Sequence, residues 1–306
     1  MSDDPRRFLH PRAIARISRL DLRARQVVEG FISGRHRSPF FGQSVEFVQH
    51  REYVPGDDIR RLDWKVWSRT DRFYIKQYEE ETNLRCNLVL DVSESMRYGR
   101  GPLDKYEYAC TIAACLAYLV LRQQDAVGLI TFDEDVRQIL PPRSQQAQLE
   151  RLLLAMDVSR PRQKTDIESI LRRVAETMTS RGLVVLISDL LVDRPPLFRG
   201  LEMLIHRQHD ILIFHILDDD ELIFPFSGTT RFEGMEQQPH LICDPRALRD
   251  GYLEALNEYL LEVRRGCTRR GIDYMLIKTS DYVDAVLAKF LHTRMRMKAN
   301  VKQRRV

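Results

Sequence analysis

The sequence contains no Cys-x-x-Cys pair, and its five cysteines are an odd number. This pattern argues against a disulfide framework and against a cysteine-based zinc site, and it is typical of a protein of the reducing cytoplasm. The sequence also lacks the glycine-rich loops GxGxxG and GxxxxGK[ST] and the GxSxG elbow. We therefore expect neither ATP hydrolysis by this chain nor a hydrolase nucleophile of the elbow type.

Long apolar runs are missing as well. The longest, from Tyr108 to Leu121, is shorter than the ~20 residues that a membrane-spanning helix needs, so it predicts a buried helix. The polar start, Met1 to Pro5, is not typical of a signal peptide. The net charge of +4 is too small to indicate specific nucleic-acid binding. We expect a cytoplasmic protein without a membrane span.

From Glu81 onward the apolar pattern predicts alternating strands and helices, which is typical of a parallel sheet covered by helices on both faces. One pair differs, because the charged turn at residues 133–135 is too short for a crossover and predicts an antiparallel return. The predicted strands are Leu84–Leu90, Val127–Phe132, Val136–Leu140, Leu183–Ser188, Ile211–Leu217 and Tyr274–Ile277. The predicted helices are Lys105–Arg122, Gln145–Met156, Ile167–Met178, Pro196–Gln208, Arg246–Arg265 and Tyr282–Met295.

The expected fold class is therefore α/β, with a doubly wound, mostly parallel sheet and one antiparallel edge strand. An N-terminal helix-plus-strand extension over residues 1–80 precedes this sheet, with a helix at Pro11–Ile32 followed by strands and turns. We assign the sheet domain to residues 81–297 and a basic tail to residues 298–306. The tail and the arginine-rich N-terminus are expected to be solvated ends.

The candidate site begins where the first predicted strand of the sheet ends. Asp91 follows the apolar run, and the hydroxyls of Ser93 and Ser95 come two and four residues later. In an open α/β sheet, ligands bind beyond the carboxyl ends of the strands. One carboxylate and two hydroxyls form an all-oxygen set, which suits a hard ion such as Mg²⁺ better than zinc. Mn²⁺ fits the same ligands.

Two further residues are expected at the same edge. Thr165 stands just before a predicted helix, and Asp189 directly follows the apolar strand that ends at Ser188. Each also has a structural interpretation, because Thr165 with Glu168 forms a capping-box pattern and Asp189 can cap the segment that follows. A capping hydroxyl at that edge remains compatible with a metal, so all five residues stay candidate ligands.

In type and order, these five residues resemble the metal-ion-dependent adhesion site of the von Willebrand factor A family. The resemblance implies a doubly wound sheet with Mg²⁺ at one edge. It also implies recognition of a partner protein whose acidic side chain becomes the last metal ligand.

A second resemblance lies upstream, where the Tyr-x-Pro-Gly-Asp-x-x-Arg-x-x-Asp-Trp pattern runs from Tyr53 to Trp64. This pattern is similar to the signature of the domain of unknown function 58 (DUF58) family, bacterial relatives of the A domain. Ser68 stands where that family more often has Ala. The resemblance implies a partnership with MoxR-type AAA+ ATPases.

The function expected from the sequence is a non-enzymatic, Mg²⁺-dependent protein-binding module that works as an adaptor with a MoxR-type AAA+ ATPase or its client. One alternative is a metal-dependent hydrolase that uses the same edge of the sheet. Another is a nucleic-acid or membrane-surface binder that uses the basic ends. The acidic run from Asp218 to Glu221 is interpreted either as a second cation site or as a solvated loop.

Overall fold

The computed structural model describes residues 20–33, 47–53, 64–70, 72–78, 84–158, 167–232 and 241–291. The chain divides into two compact units, residues 37–83 and the remainder. In chain order the elements are α1 (Leu20–Ser33), β1 (Phe47–Glu52), α2 (Trp64–Thr70), β2 (Tyr74–Tyr78), β3 (Arg85–Asp91), α3 (Lys105–Arg122), β4 (Ala126–Phe132), β5 (Val136–Arg143), α4 (Ala147–Val158), α5 (Ile167–Thr177), β6 (Leu183–Ser188), α6 (Arg194–His206), β7 (Asp210–Leu217), α7 (Asp219–Ile223), β8 (Thr230–Phe232), β9 (Leu241–Cys243), α8 (Pro245–Arg269), β10 (Asp273–Lys278) and α9 (283–291).

The smaller unit contains the antiparallel pair of β1 and β2. Trp67 stacks on Phe73 with ring centroids 5.9 Å apart, and Tyr53 meets the same Phe73 ring edge-on at 6.3 Å. Contacts between aromatic rings therefore contribute to holding this hairpin together. Most of the signature that begins at Tyr53, residues 54–63, lies outside the described residues.

The larger unit is built on a six-stranded sheet with the order β10-β7-β6-β3-β4-β5. All neighbouring pairs are parallel except β4 with β5, which is the antiparallel return that the short charged turn predicts. The strands β3, β4, β6 and β7 are buried along almost their whole length, which explains why each is a continuous apolar run in the sequence. The predicted fold class is confirmed.

Helices cover both faces of the sheet. One apolar layer packs α1, α3, α4 and α9 against the sheet, and the other packs α5, α6 and α8. The sequence assigns α1 to the N-terminal extension, but its buried residues Ala24, Val27 and Val28 belong to the core of the sheet unit. Within the described part of the chain, no helix combines the length and the apolar character that a membrane crossing requires.

The segment between β7 and α8 contains elements that the sequence pattern does not predict. It forms the short helix α7 and the hairpin of β8 and β9. Four aromatic rings pack together there, with Phe224 in contact with Phe226, Phe232 and Tyr252 at centroid distances of 5.0, 5.8 and 4.6 Å. Because β7 is a parallel strand, this segment leaves from the same sheet edge as the candidate ligands.

Candidate functional site

The winding direction of the sheet reverses between β3 and β6. After β3 the chain continues to β4 and β5 on one side, whereas after β6 it continues to β7 and β10 on the other. Open α/β sheets bind ligands at such a reversal, beyond the carboxyl ends of the strands. Asp91 is the last residue of β3 and Ser188 the last residue of β6, so both lie at this point.

Asp91 is buried at this reversal and both of its carboxylate oxygens accept hydrogen bonds. Oδ1 accepts from the backbone N–H of Ser93 at 2.9 Å, and Oδ2 accepts from the Ser188 hydroxyl at 2.5 Å. The hydroxyl oxygens of Ser93 and Ser95 lie 3.0 Å apart. Three of the five predicted ligands are therefore neighbours. Ser188 was missed by the sequence reasoning, although a hydroxyl that ends an apolar strand just before Asp189 was a usable signal.

The electrostatics of Asp91 favour a nearby cation. Burial, followed by the negative charge of Asp189, raises the pKa of Asp91 to about 7, although the hydrogen bonds from Ser188 and Ser93 act in the opposite direction. Asp91 is therefore a buried carboxylate without an ion-pair partner among the described residues. A divalent ion would supply the missing positive charge.

Asp189 lies at the same edge, immediately after β6, and is also buried. Its Oδ2 accepts a hydrogen bond from the ammonium group of Lys105 at 2.8 Å, and its Oδ1 is 3.3 Å from the backbone N–H of Leu191. Because Asp189 is already paired with the buried ammonium group of Lys105, it is better placed to reach an ion through a metal-bound water molecule than by direct coordination.

Lys105 is the unexpected member of this site. Its side chain is fully buried, and its ammonium group lies 2.8 Å from Asp189 Oδ2 and 2.8 Å from Glu221 Oε1. Burial works to lower the pKa of Lys105, but the two carboxylates outweigh it and the pKa is raised. For Glu221 the net direction is also upward: burial raises its pKa, and the positive charge of Lys105 acts in the opposite direction. A lysine in the first turn of a helix opposes the helix dipole, and that misfit was the available signal in the sequence.

The loop that carries Asp189 is fixed at several points. The backbone N–H of Leu190 donates to the Ser188 hydroxyl at 2.9 Å, and Leu190 itself adopts a left-handed conformation with φ of 48°. The Tyr259 hydroxyl of α8 contacts the carbonyl oxygen of Leu190 and lies 2.9 Å from that of Val192. A non-glycine residue in this conformation persists only where its surroundings hold it.

The acidic run after β7 begins at Asp218 and ends at Glu221. The carboxylates of these two residues are neither solvated nor open to a cation. Asp218 caps α7, with its Oδ1 3.0 Å from the backbone N–H of Asp220, and its Oδ2 accepts from the Thr279 hydroxyl at 2.8 Å. Glu221 completes the capping box through the backbone N–H of Asp218 at 2.7 Å and also pairs with Lys105. These oxygens are therefore occupied by donors of the chain itself.

Thr165 lies outside the described residues, which resume at Ile167. The prediction that its hydroxyl reaches the metal stays a prediction. Glu168, the other half of the proposed capping box, forms ion pairs with Arg199 at 2.7 Å and Arg172 at 3.4 Å.

The residues present fit a hard divalent cation held partly by water. Asp91, Ser93 and Ser95 offer oxygen atoms only, and Mg²⁺ commonly uses one or two carboxylates while it retains several waters. Among the described residues there is no group of three or more His, Cys, Asp and Glu side chains arranged to hold a metal. A site at this edge would therefore depend on the serine hydroxyls and on water.

Comparisons with known proteins agree with the upstream signature. A model of the family described as "Protein of unknown function DUF58" matches residues 49–259. The uncharacterized proteins Mb1516 of Mycobacterium bovis and Rv1480 of Mycobacterium tuberculosis are each 26% identical to the chain over 293 residues, covering 94% of it and 91% of each relative.

Solved structures are also matched, among them one described as a VWA domain. BatB from Bacteroides thetaiotaomicron is 15% identical with a TM-score of 0.48, covering 70% of this chain and 99% of that one. The SpRpn10 VWA domain is 12% identical with a TM-score of 0.40, covering 67% and 94%. The fold is established by the strand order described above, and the family by the sequence match: the chain belongs to the DUF58 family.

Proposed function

We propose that this chain is a non-enzymatic, Mg²⁺-dependent protein-binding module of the reducing cytoplasm, an adaptor that works with a MoxR-type AAA+ ATPase or with a client of that ATPase. The observation that carries the proposal is the arrangement of Asp91, Ser93 and Ser95 at the reversal point of the sheet. Asp91 and the two hydroxyls would hold the ion, and Asp189 would bind one of its waters.

The charge of the site supports binding of an acidic partner. Lys105 lies between Asp189 and Glu221, so part of the negative charge at this edge is already neutralised by the protein. An ion held by Asp91 and two neutral hydroxyls keeps much of its positive charge. When bound, Mg²⁺ would accept an Asp or Glu carboxylate of the partner as a further ligand. The identity of the ATPase rests on the resemblance to the DUF58 signature.

The test is a binding measurement between the purified chain and the cognate MoxR-type ATPase by biolayer interferometry, with Mg²⁺ and with EDTA. We expect EDTA to weaken binding by at least about tenfold and added Mg²⁺ to restore it, because loss of one charged ligand contact is worth about 1.4 kcal/mol or more. Asp91→Asn keeps the shape of the side chain but removes its charge, so this variant should bind weakly in both buffers.

The matched control is Asp210→Asn. Asp210 is the first residue of β7, at the opposite edge of the sheet, and pairs with Arg181 at 3.2 Å. This variant should bind the ATPase as the wild type does. Binding that survives both EDTA and Asp91→Asn would refute the metal-dependent mechanism, and titration calorimetry with Mg²⁺ alone shows whether the metal site or only the choice of partner is wrong.

A further inference from the structure

A second surface lies on the helical layer formed by α6 and α8, and none of its lining residues is a candidate metal ligand. The two helices pack where Phe198 lies against Gly266, and a groove of about 790 Å³ runs alongside this contact. We call it the α6–α8 groove. The residues that define its chemistry are Arg194, Phe198, Leu261, Arg264, Arg265 and Arg269.

The groove carries positive charge that the protein leaves uncompensated. Arg264, Arg265 and Arg269 are exposed, and none of the three has an ion-pair partner within the described parts of the chain. By contrast, Arg199 of α6 pairs with Glu168 at 2.7 Å, and Arg270, the residue after α8, pairs with Glu202 at 2.7 Å. The single acidic residue in the lining, Glu262, already pairs with Arg194.

The same groove is apolar between its arginines. Leu261 exposes 51% of its surface at the end of the groove next to Arg194. The Phe198 ring also lines the groove. The guanidinium group of Arg270 packs against this ring, 4.5 Å from its centroid. An exposed leucine that is followed along the helix by unpaired arginines fits a ligand that has both apolar and acidic side chains.

We propose that the α6–α8 groove is a docking site for an acidic amphipathic helix of a partner protein. A trough between two parallel-running helices accepts the apolar stripe of a third helix, and acidic residues on both sides of that stripe would meet the arginines. Nucleic acid fits less well, because the exposed apolar surface of Leu261 offers no favourable contact to a sugar-phosphate backbone. This site is independent of the metal-dependent function proposed above.

The test uses the full chain and a defined probe. The probe is a fluorescein-labelled peptide of about 16 residues, long enough for four helical turns, with leucines at i, i+3, i+4 and i+7 spacing and glutamates elsewhere. Its comparison is a scrambled peptide of identical composition and charge. Fluorescence anisotropy should show the patterned peptide binding at least about tenfold more tightly than the scramble.

Two pairs of variants on α8 locate the binding. Arg265→Gln combined with Arg269→Gln should weaken binding about tenfold, whereas Arg246→Gln with Arg249→Gln changes the same charge at the exposed start of the helix and should leave it unchanged. Leu261→Ser should weaken binding several-fold. Its control, Leu248→Ser, alters another leucine that is 44% exposed but lies outside the groove.

Each outcome decides the proposal, and thermal melting of every variant confirms that it is folded. EDTA should have no effect on peptide binding, which separates this site from the metal site. Equal binding of the scrambled peptide, equal losses in the control variants, or no measurable binding would overturn the proposal. Tighter binding of a single-stranded RNA of equal charge, or of phosphatidylglycerol vesicles, with the same dependence on Arg265 and Arg269 would reassign the groove to that ligand.

Discussion

At the residue scale, Lys105 determines how the candidate site is held together. Its ammonium group joins three segments at the sheet edge, because Lys105 begins α3, Asp189 follows β6 and Glu221 lies in α7. A buried ion pair can contribute little net stability, since the loss of hydration offsets the attraction between the charges. Removing one partner is different, because the remaining charges stay buried without compensation.

Lys105→Met should therefore lower the free energy of unfolding by about 3–5 kcal/mol, measured by urea denaturation in EDTA. Adding Mg²⁺ should recover more stability in this variant than in the wild type, because the ion can compensate carboxylates that have lost their ammonium partner. The control is Arg181→Met, which removes an ion pair to Asp210 whose side chains are each 38% exposed and should cost at most about 1 kcal/mol. Equal losses in the two variants would contradict the role given to Lys105.

His209 gives the protein a pH dependence that is independent of the metal site. It precedes β7 at the opposite edge from Asp91, and burial lowers its pKa from 6.5, although a hydrogen bond to the Gly182 backbone acts in the opposite direction. The folded protein therefore takes up this proton at a lower pH than the unfolded chain does. As the pH falls below about 6.5, the unfolded state binds more protons and the folded state loses stability.

The prediction is that His209→Gln reduces the loss of stability between about pH 7 and pH 5, because glutamine does not titrate while its amide can still donate a hydrogen bond. Urea denaturation of both proteins across this range provides the measurement. The difference in stability between them should become independent of pH above about pH 7, where the histidine is neutral in both states. Parallel curves of unfolding free energy against pH for wild type and variant would show that His209 does not cause the loss of stability at low pH.

At the scale of elements, α8 contains two glycines with opposite requirements. A Cβ atom at Gly266 would overlap the Phe198 ring, so this glycine allows α6 and α8 to approach each other. A Cβ atom at Gly251 would have no neighbour within 4 Å among the described atoms. Both residues lie inside the same helix, so their backbone entropy costs are similar and the difference between them is steric.

Gly251→Ala should raise the free energy of unfolding by about 0.5–1 kcal/mol, because alanine restricts the unfolded chain and favours the helix. Gly266→Ala should lower it by about 1–3 kcal/mol, because the ring of Phe198 must move out of a packed position. Chemical denaturation of the two variants beside the wild type measures both effects. A stabilising Gly266→Ala would mean that the two helices do not pack as closely as described.

The elements that could be predicted are those whose sequence pattern is local, even where their stability depends on distant strands. The buried parallel strands β3 and β6 are continuous apolar runs, and the short turn before β5 dictates its antiparallel direction. Helix α7 and the β8–β9 hairpin could not be predicted in this way. They are short, and they are held by a cluster of aromatic rings around Phe224 and by the Lys105–Glu221 contact, which joins residues 116 positions apart.

The candidate site also has a part that the sequence predicts and a part that it does not. Asp91 and Asp189 could be placed from the sequence, because each follows an apolar strand and parallel strands end at one edge of the sheet. The pairing of Asp189 with Lys105 could not, because it joins residues 84 positions apart in the sequence. Sequence patterns define the ends of strands well, whereas the donors that occupy each carboxylate depend on loop geometry.

At the scale of the whole molecule, the sheet carries two helical layers that could unfold together or separately. The cysteines report on both layers. Cys86 lies in the central strand β3, Cys110 and Cys115 lie in α3 on one face, and Cys267 lies in α8 on the other; all four are buried. Cys243 is partly exposed and serves as an internal reference.

Burial also suppresses the reactivity of the thiols, because it raises the pKa of Cys110 and of Cys267 to about 12, and only the thiolate attacks. We predict that N-ethylmaleimide at about pH 7.5 modifies Cys243 rapidly, and that Cys110 and Cys267 react at least about a thousandfold more slowly, at rates close to each other. The shared sheet should make the two layers open in one cooperative step.

Timed labelling followed by peptide mass spectrometry measures each site, with labelling in guanidinium chloride as the reference for full exposure. If Cys267 reacts long before Cys110 does, the α8 layer opens separately, and the single cooperative unit expected from the fold is refuted.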